Sequence, residues 1–164
     1  PAFTSFVREF LAGRGYEVRV NDPFKGVELV RAYSNPSAGR HSLQIDEVRQ
    51  GLKPDDAILR CSWPVELHDR PEDVHWEEFG DDHLHYVPFR AMVPQQADNL
   101  VAAGRCIDGD LAALSSVRVM GPCVAMGAAA AQALDLAGAG SVSQIDIAAL
   151  QLRLRDNLER RDRD

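Results

Sequence analysis

The chain has 164 residues, 18 basic and 25 acidic side chains and a formal net charge of −7, with an ordinary apolar fraction of 45%. That length accommodates one domain with a proper core or two smaller pieces, and the negative balance argues against a nucleic-acid or anionic-membrane partner. Three cysteines, Cys61, Cys106 and Cys123, are odd in number and lack a CxxC pair, which favours a reducing compartment over a zinc ribbon or disulfide framework.

Phe3, Phe6, Val7, Phe10 and Leu11 recur at helical spacing until Gly13 and Gly15. This opening reads as a short amphipathic helix rather than a targeting segment, so a cytoplasmic location is expected. Tyr16–Val20 alternates like a strand, Val27–Tyr33 reads as a second helix, and His41–Ile45 as another strand. Together they predict an N-terminal βαβ-like unit. Asp56–Leu59 leads into Cys61–His68, where Val65 and Leu67 alternate with Glu66 and His68, as in a half-exposed strand with a polar face toward a pocket. Residues 69–82 are acidic and aperiodic and read as a solvated loop. Leu84, Tyr86 and Pro88 form the next extended run, with Arg90 on its rim.

The stretch Asp98–Ala137 organises the rest. Leu100–Ala103 is a short apolar run bounded by turns, which predicts a buried strand. A loop with two carboxylates, Asp108 and Asp110, follows. Gly121-Pro122 then opens a helix of small residues that runs to Ala137. The free N–H groups of its first turn form a ready anion site, and Ala125, Gly127, Ala128 and Ala129 leave room for a ligand or another backbone. Asp135 and the helix's length argue against a membrane span. Ser143 is expected to cap a last helix, with Asp146 as its reciprocal partner and Ile147, Leu150, Leu154 and Leu158 as its apolar stripe. The fold class expected is α/β, a small mixed sheet with flanking helices.

His75 and Glu78 have HxxE spacing, and His83 and His85 project to one side of an extended run. They lie in or beside the acidic loop, and no metal site is expected. Cys123 sits in a helix's first turn, where the dipole lowers a thiol's pKa; a core cysteine is the plainer reading.

The blocks N-L-V-A-A-G-R-C-I (Asn99–Ile107) and S-S-V-R-V-M-G-P-C-V-A-M-G-A-A-A (Ser115–Ala130) resemble the C-terminal flavin-binding segment of FAD-dependent oxidoreductases. The resemblance extends to R-C-S-W-P-V-E-L-H (Arg60–His68) and Y-V-P-F-R-A-M-V-P (Tyr86–Pro94), and covers roughly residues 53–138. It implies FAD as cofactor and transfer of a hydride or electron pair from a small-molecule substrate. It also implies that Gly104, Arg105 and Cys106 lie near the ribityl-phosphate region, and that Val119, Met120, Gly121, Pro122, Cys123 and Gly127 lie toward the ring. His68 would be a substrate-side acid or hydrogen-bond donor, and Arg118 a clamp on substrate or flavin. The chain departs from the family at Asp108-Gly109-Asp110-Leu111, where a serine and a histidine are expected, and at Pro122, where a threonine is. It also lacks the GxGxxG that brings backbone to the pyrophosphate. The resemblance is thus to an incomplete flavoprotein-like half, and a second chain or second copy is expected to complete the site.

The opening piece is similar to another family. G-Y-E-V-R-V-N-D-P-F-K-G (Gly15–Gly26) and N-P-S-A-G-R-H-S-L-Q-I-D (Asn35–Asp46) resemble the C-terminal part of N-formylglutamate amidohydrolases, which are zinc enzymes. That resemblance implies a general base at Asp46 or Glu47 and a substrate arginine at Arg49. The expected organisation is an amidohydrolase-like fragment over 1–49, a flavoprotein-like segment over 50–142, and a C-terminal helix with a charged tail over 143–164. The first functional expectation is the C-terminal portion of an FAD-dependent oxidoreductase. The alternatives are an amidohydrolase-like remnant acting on an N-acyl amino acid and a non-catalytic α/β domain.

Overall fold

The computed structural model describes residues 39–70 and 73–159, without the side chains of 68–70 and 73. The helices and strand expected between Phe3 and Tyr33, and with them most of the βαβ-like unit, lie outside the described residues. Those described belong to one compact unit beginning at Pro36. In chain order they form α1 (Ile45–Arg49), β1 (Ala57–Cys61), β2 (Val65–Arg70), β3 (Asp73–Glu77), β4 (His85–Pro88), α2 (Leu111–Val117), α3 (Met120–Ala137), α4 (Ile147–Arg153) and α5 (Arg155–Leu158). The architecture is mixed α/β, with two antiparallel two-stranded sheets and flanking helices.

β1 pairs with β4, Leu59 opposite Val87 and Cys61 opposite His85. Ile58, Leu59 and Val87 are fully covered, as apolar side chains at the centre of a core should be, and the polar ring of His85 is covered with them. The leading segment is stitched to the later chain. Gly39 bridges Pro94, and Leu43 bridges Gly109. The strand expected at His41–Ile45 is therefore a single bridge, because Ile45 already begins α1.

Three further expectations are corrected. Residues 69–82 are not all loop, since β3 pairs with β2, Leu67 opposite His75 and Glu66 opposite Trp76. Leu100–Ala103 is extended without joining a sheet; Ala102 N–H donates to Met92 O at 2.7 Å, while Leu100 stays exposed. The last helix is capped by Asp146, whose Oδ1 accepts from Ala148 and Ala149 N–H. Ser141 caps an intervening 3-10 turn at Val142–Gln144, which delays the helix.

The core gathers Leu43 and Val48 with β1, β4, Ile107, Leu114, Val117, Met126, Ala129, Ala133, Leu150 and Leu154. α3 buries Met126, Ala129 and Ala133. On its outer side Met120 is 86% and Val124 74% exposed, and Gly127, Ala128, Ala131 and Leu134 continue that exposed stripe. No single helix among the described residues is long and apolar enough to cross a membrane.

Candidate functional site

A cavity of about 770 Å³ lies between two strips of chain, within the range of about 300–1,000 Å³ usual for small-molecule sites. One strip is Arg60–Trp63 with Glu66, from the end of β1 and the start of β2. The other is Arg118–Pro122, the junction of α2 and α3, with Arg105 and Ala125 beside it. The two helices meet at 88°, which turns Arg118, Val119 and Met120 toward the opening.

Buried hydrogen bonds pin the strand-side wall. Ser116 Oγ donates to Trp63 O at 2.6 Å and so accepts from His85 Nε2–H at 3.0 Å. Trp63 N–H reaches Cys61 Sγ at 3.3 Å, and Cys61 Sγ points at Ser116 O. The Trp63 indole N–H donates to Glu66 Oε2 at 3.2 Å, and its ring meets Trp76 edge-on at 6.2 Å. The indole is therefore held on two sides while remaining exposed at the cavity.

The helix-side wall is arranged differently. At α3 the cap position is Val119, which offers no side-chain acceptor. The leading amides of that helix thus have no cap at the cavity mouth, and a Cβ on Gly121 would meet nothing within 4 Å. Gly104 sits behind this wall with φ +64°, a conformation that favours glycine. Its N–H points at Met126 Sδ, 3.3 Å away, and a Cβ there would lie 3.2 Å from Cys123 Sγ.

Of the residues singled out in the sequence, Arg105, Arg118, Val119, Met120, Gly121 and Pro122 line this one cavity. Gly104 and Cys123 lie behind it. Cys106 is exposed and does not line the cavity, and Gly127 is on the outer face of α3. Gly127 follows Ala125 by two residues, hence about 200° around the helix. His68 belongs to β2 by its backbone, and its side chain is outside the description. Arg60, Trp63 and Glu66 also line the cavity. Glu66 is expected on a polar face toward a pocket from its alternation with Val65, whereas Arg60 and Trp63 carry no such signal.

The cavity's charged lining is three arginines and one glutamate. Arg118 Nη2 donates to Glu66 O at 3.0 Å. Burial pushes the thiols of Cys61, Cys106 and Cys123 upward; for Cys123 the nearby Arg105 and Arg118 oppose it. The dipole effect expected at Cys123 is outweighed, and its Sγ donates to Arg118 O at 3.1 Å. The two loop carboxylates are structural. Asp108 Oδ2 accepts from Gly39 N–H at 3.0 Å; Asp110 caps α2 through Ala113 N–H and accepts from Ile45 N–H at 2.6 Å.

A family model described as FAD dependent oxidoreductase matches residues 36–154. The chain belongs to the FAD-dependent oxidoreductase family. A second model, N-formylglutamate amidohydrolase, matches residues 1–52, so the two overlap over 36–52. No curated protein and no solved structure gives a significant match.

In this member of the family, the family's cofactor finds a partial fit. The uncapped α3 mouth, the empty space at Gly121 and the roomy cavity suit the electron-rich edge of a flavin ring. The dinucleotide half has no counterpart, since no GxGxxG occurs in the sequence. The residues matched by the amidohydrolase resemblance are otherwise engaged. Glu47 binds His41 Nε2 and the Gln44 amide, Asp46 lies 3.7 Å from Arg49, and Arg49 pairs with Glu77 at 2.8 Å. Among the described residues no three His, Cys, Asp or Glu side chains gather as a metal site.

Proposed function

We propose that this chain carries the C-terminal, flavin-ring side of an FAD-dependent oxidoreductase site, and that a second chain or second copy supplies the dinucleotide-binding half. One observation carries the reading. Arg105, Arg118 and the Val119–Pro122 helix mouth share a single cavity with the strand-side strip Arg60–Glu66. In the family, FAD when bound accepts the hydride or electron pair from substrate. The chain's own part is to stabilise and to position. The uncapped amides and dipole of α3 favour negative charge at the ring's edge, and Arg105 adds a cation for the cofactor's phosphate side. Arg118, steadied by Glu66 O, orients ligand at the opening, and His68 in β2 would serve substrate-side proton chemistry. Trp63, held by Glu66 and Trp76, walls off water. Asp46, Glu47 and Arg49 are spent on capping and ion pairs, so the amidohydrolase reading is not carried further.

The test is a visible spectrum of purified protein before and after incubation with FAD and desalting, at several protein concentrations. Retained flavin absorbance that rises with protein concentration is the expected result. A colourless protein at every concentration sinks the reading of self-completion. If FAD is then also refused in the presence of a separately expressed dinucleotide-binding chain, the whole proposal falls.

A further inference from the structure

Among the described residues Arg60, like Arg105, lines the cavity without an ion-pair partner. Arg49, Arg90, Arg153 and Arg155 each pair with an acidic side chain. Arg60 lines the cavity with no ion pair or side-chain hydrogen bond among the described residues, and it stands three residues from Trp63, whose indole is fixed in place. Arg60 also lines an adjoining space of about 340 Å³ together with Asp81 and Asp82, neither of which forms an ion pair with it. A half-buried cation and an immobilised aromatic surface lining one cavity, with Val119, Met120 and Pro122 also in its wall, are complementary to a flat apolar body that ends in an anion.

We infer that the cavity takes an organic carboxylate as substrate, its carboxylate on Arg60 and its apolar body against Trp63. This rests on reading the cavity as the substrate side of the flavin site. It separates Arg60 from Arg105, whose cation serves the cofactor's phosphates. A planar guanidinium grips a carboxylate through two parallel N–H donors, which a lysine cannot reproduce.

The chain holds only two tryptophans, so the Trp76→Phe variant leaves Trp63 as sole fluorescent reporter. In that background benzoate, benzyl alcohol, inorganic phosphate and FAD are titrated separately. Benzoate is expected to quench saturably and at least tenfold more tightly than benzyl alcohol. Arg60→Met should weaken benzoate at least tenfold and leave benzyl alcohol unchanged, which also shows that the variant is folded. Should that variant fail to fold, Arg60→Lys must weaken benzoate several-fold for the inference to stand. Arg105→Met should spare benzoate and weaken FAD. Equal binding of benzoate and benzyl alcohol, displacement of benzoate by phosphate at equal concentration, or indifference to Arg60→Met each overturns the inference. Loss of FAD binding with benzoate binding intact would instead count against the flavin reading alone.

Discussion

His85 shows how one residue joins stability to the cavity wall. Its ring is fully covered, its Nε2–H is committed to Ser116, and its Nδ1 has no partner. Burial, helped by the neighbouring His83, lowers its pKa from 6.5 to about 4. Because the folded value lies below the unfolded one, protonation favours the unfolded chain. The contribution is whole above pH 6.5, declines as pH falls, and is exhausted once pH passes through about 4; its full size is on the order of 3 kcal/mol. Urea midpoints measured between pH 7 and pH 4 should therefore fall more steeply for the wild-type chain than for His85→Phe, whatever the variant's absolute stability. Parallel slopes would show that the ring is not protected in this way. The sequence placed His83 and His85 on one side, and the structure packs both rings around Phe79. What no spacing revealed is Ser116, 31 residues away, because a partner so distant in sequence is chosen by the fold.

At the scale of elements, the carboxylate of Asp110 holds two segments at once. It caps α2 and takes the Ile45 amide at the head of α1. Asp110→Ala should cost about 1–2 kcal/mol, the upper part of the usual capping range, and should speed amide exchange at Leu43 and Ile45 as well as in α2. A loss confined to α2 would mean that the tie to Ile45 contributes little. Helix ends were only partly legible in the sequence. Val119 caps α3 without offering an oxygen, so its start lay two residues before Pro122. The β2–β3 ribbon was hidden for another reason. Val74, His75 and Trp76 are all exposed, so the strand has no apolar–polar alternation to read. Backbone pairing, the Trp63–Trp76 contact and the Arg49–Glu77 pair define it instead. The Gly-Arg turn and the α3 mouth were legible because their residue types carry their geometry locally. The alternation around Glu66 also pointed it toward a pocket, but Arg60 was not legible, since its role depends on which distant strip faces it.

At the scale of the whole molecule, α3 buries Met126, Ala129 and Ala133 and leaves Gly127, Ala128 and Ala131 exposed between Val124 and Leu134. Gly127 marks the cost of that arrangement. It sits in the middle of an 18-residue helix with ordinary helical backbone, and a methyl group there would touch nothing within 4 Å. Replacing it with alanine should raise the stability of the isolated chain by about 0.5–1 kcal/mol, read as a higher urea midpoint at constant slope. If the proposed companion chain packs against this outer face, the same methyl group would stand in the way of its backbone. An ordinary stabilising substitution would then become an obstacle to assembly, and the two measurements would move in opposite directions. If alanine stabilised the chain and left assembly untouched, the companion would have to lie elsewhere. On this reading the helix forgoes rigidity alone so that it can be narrow in company.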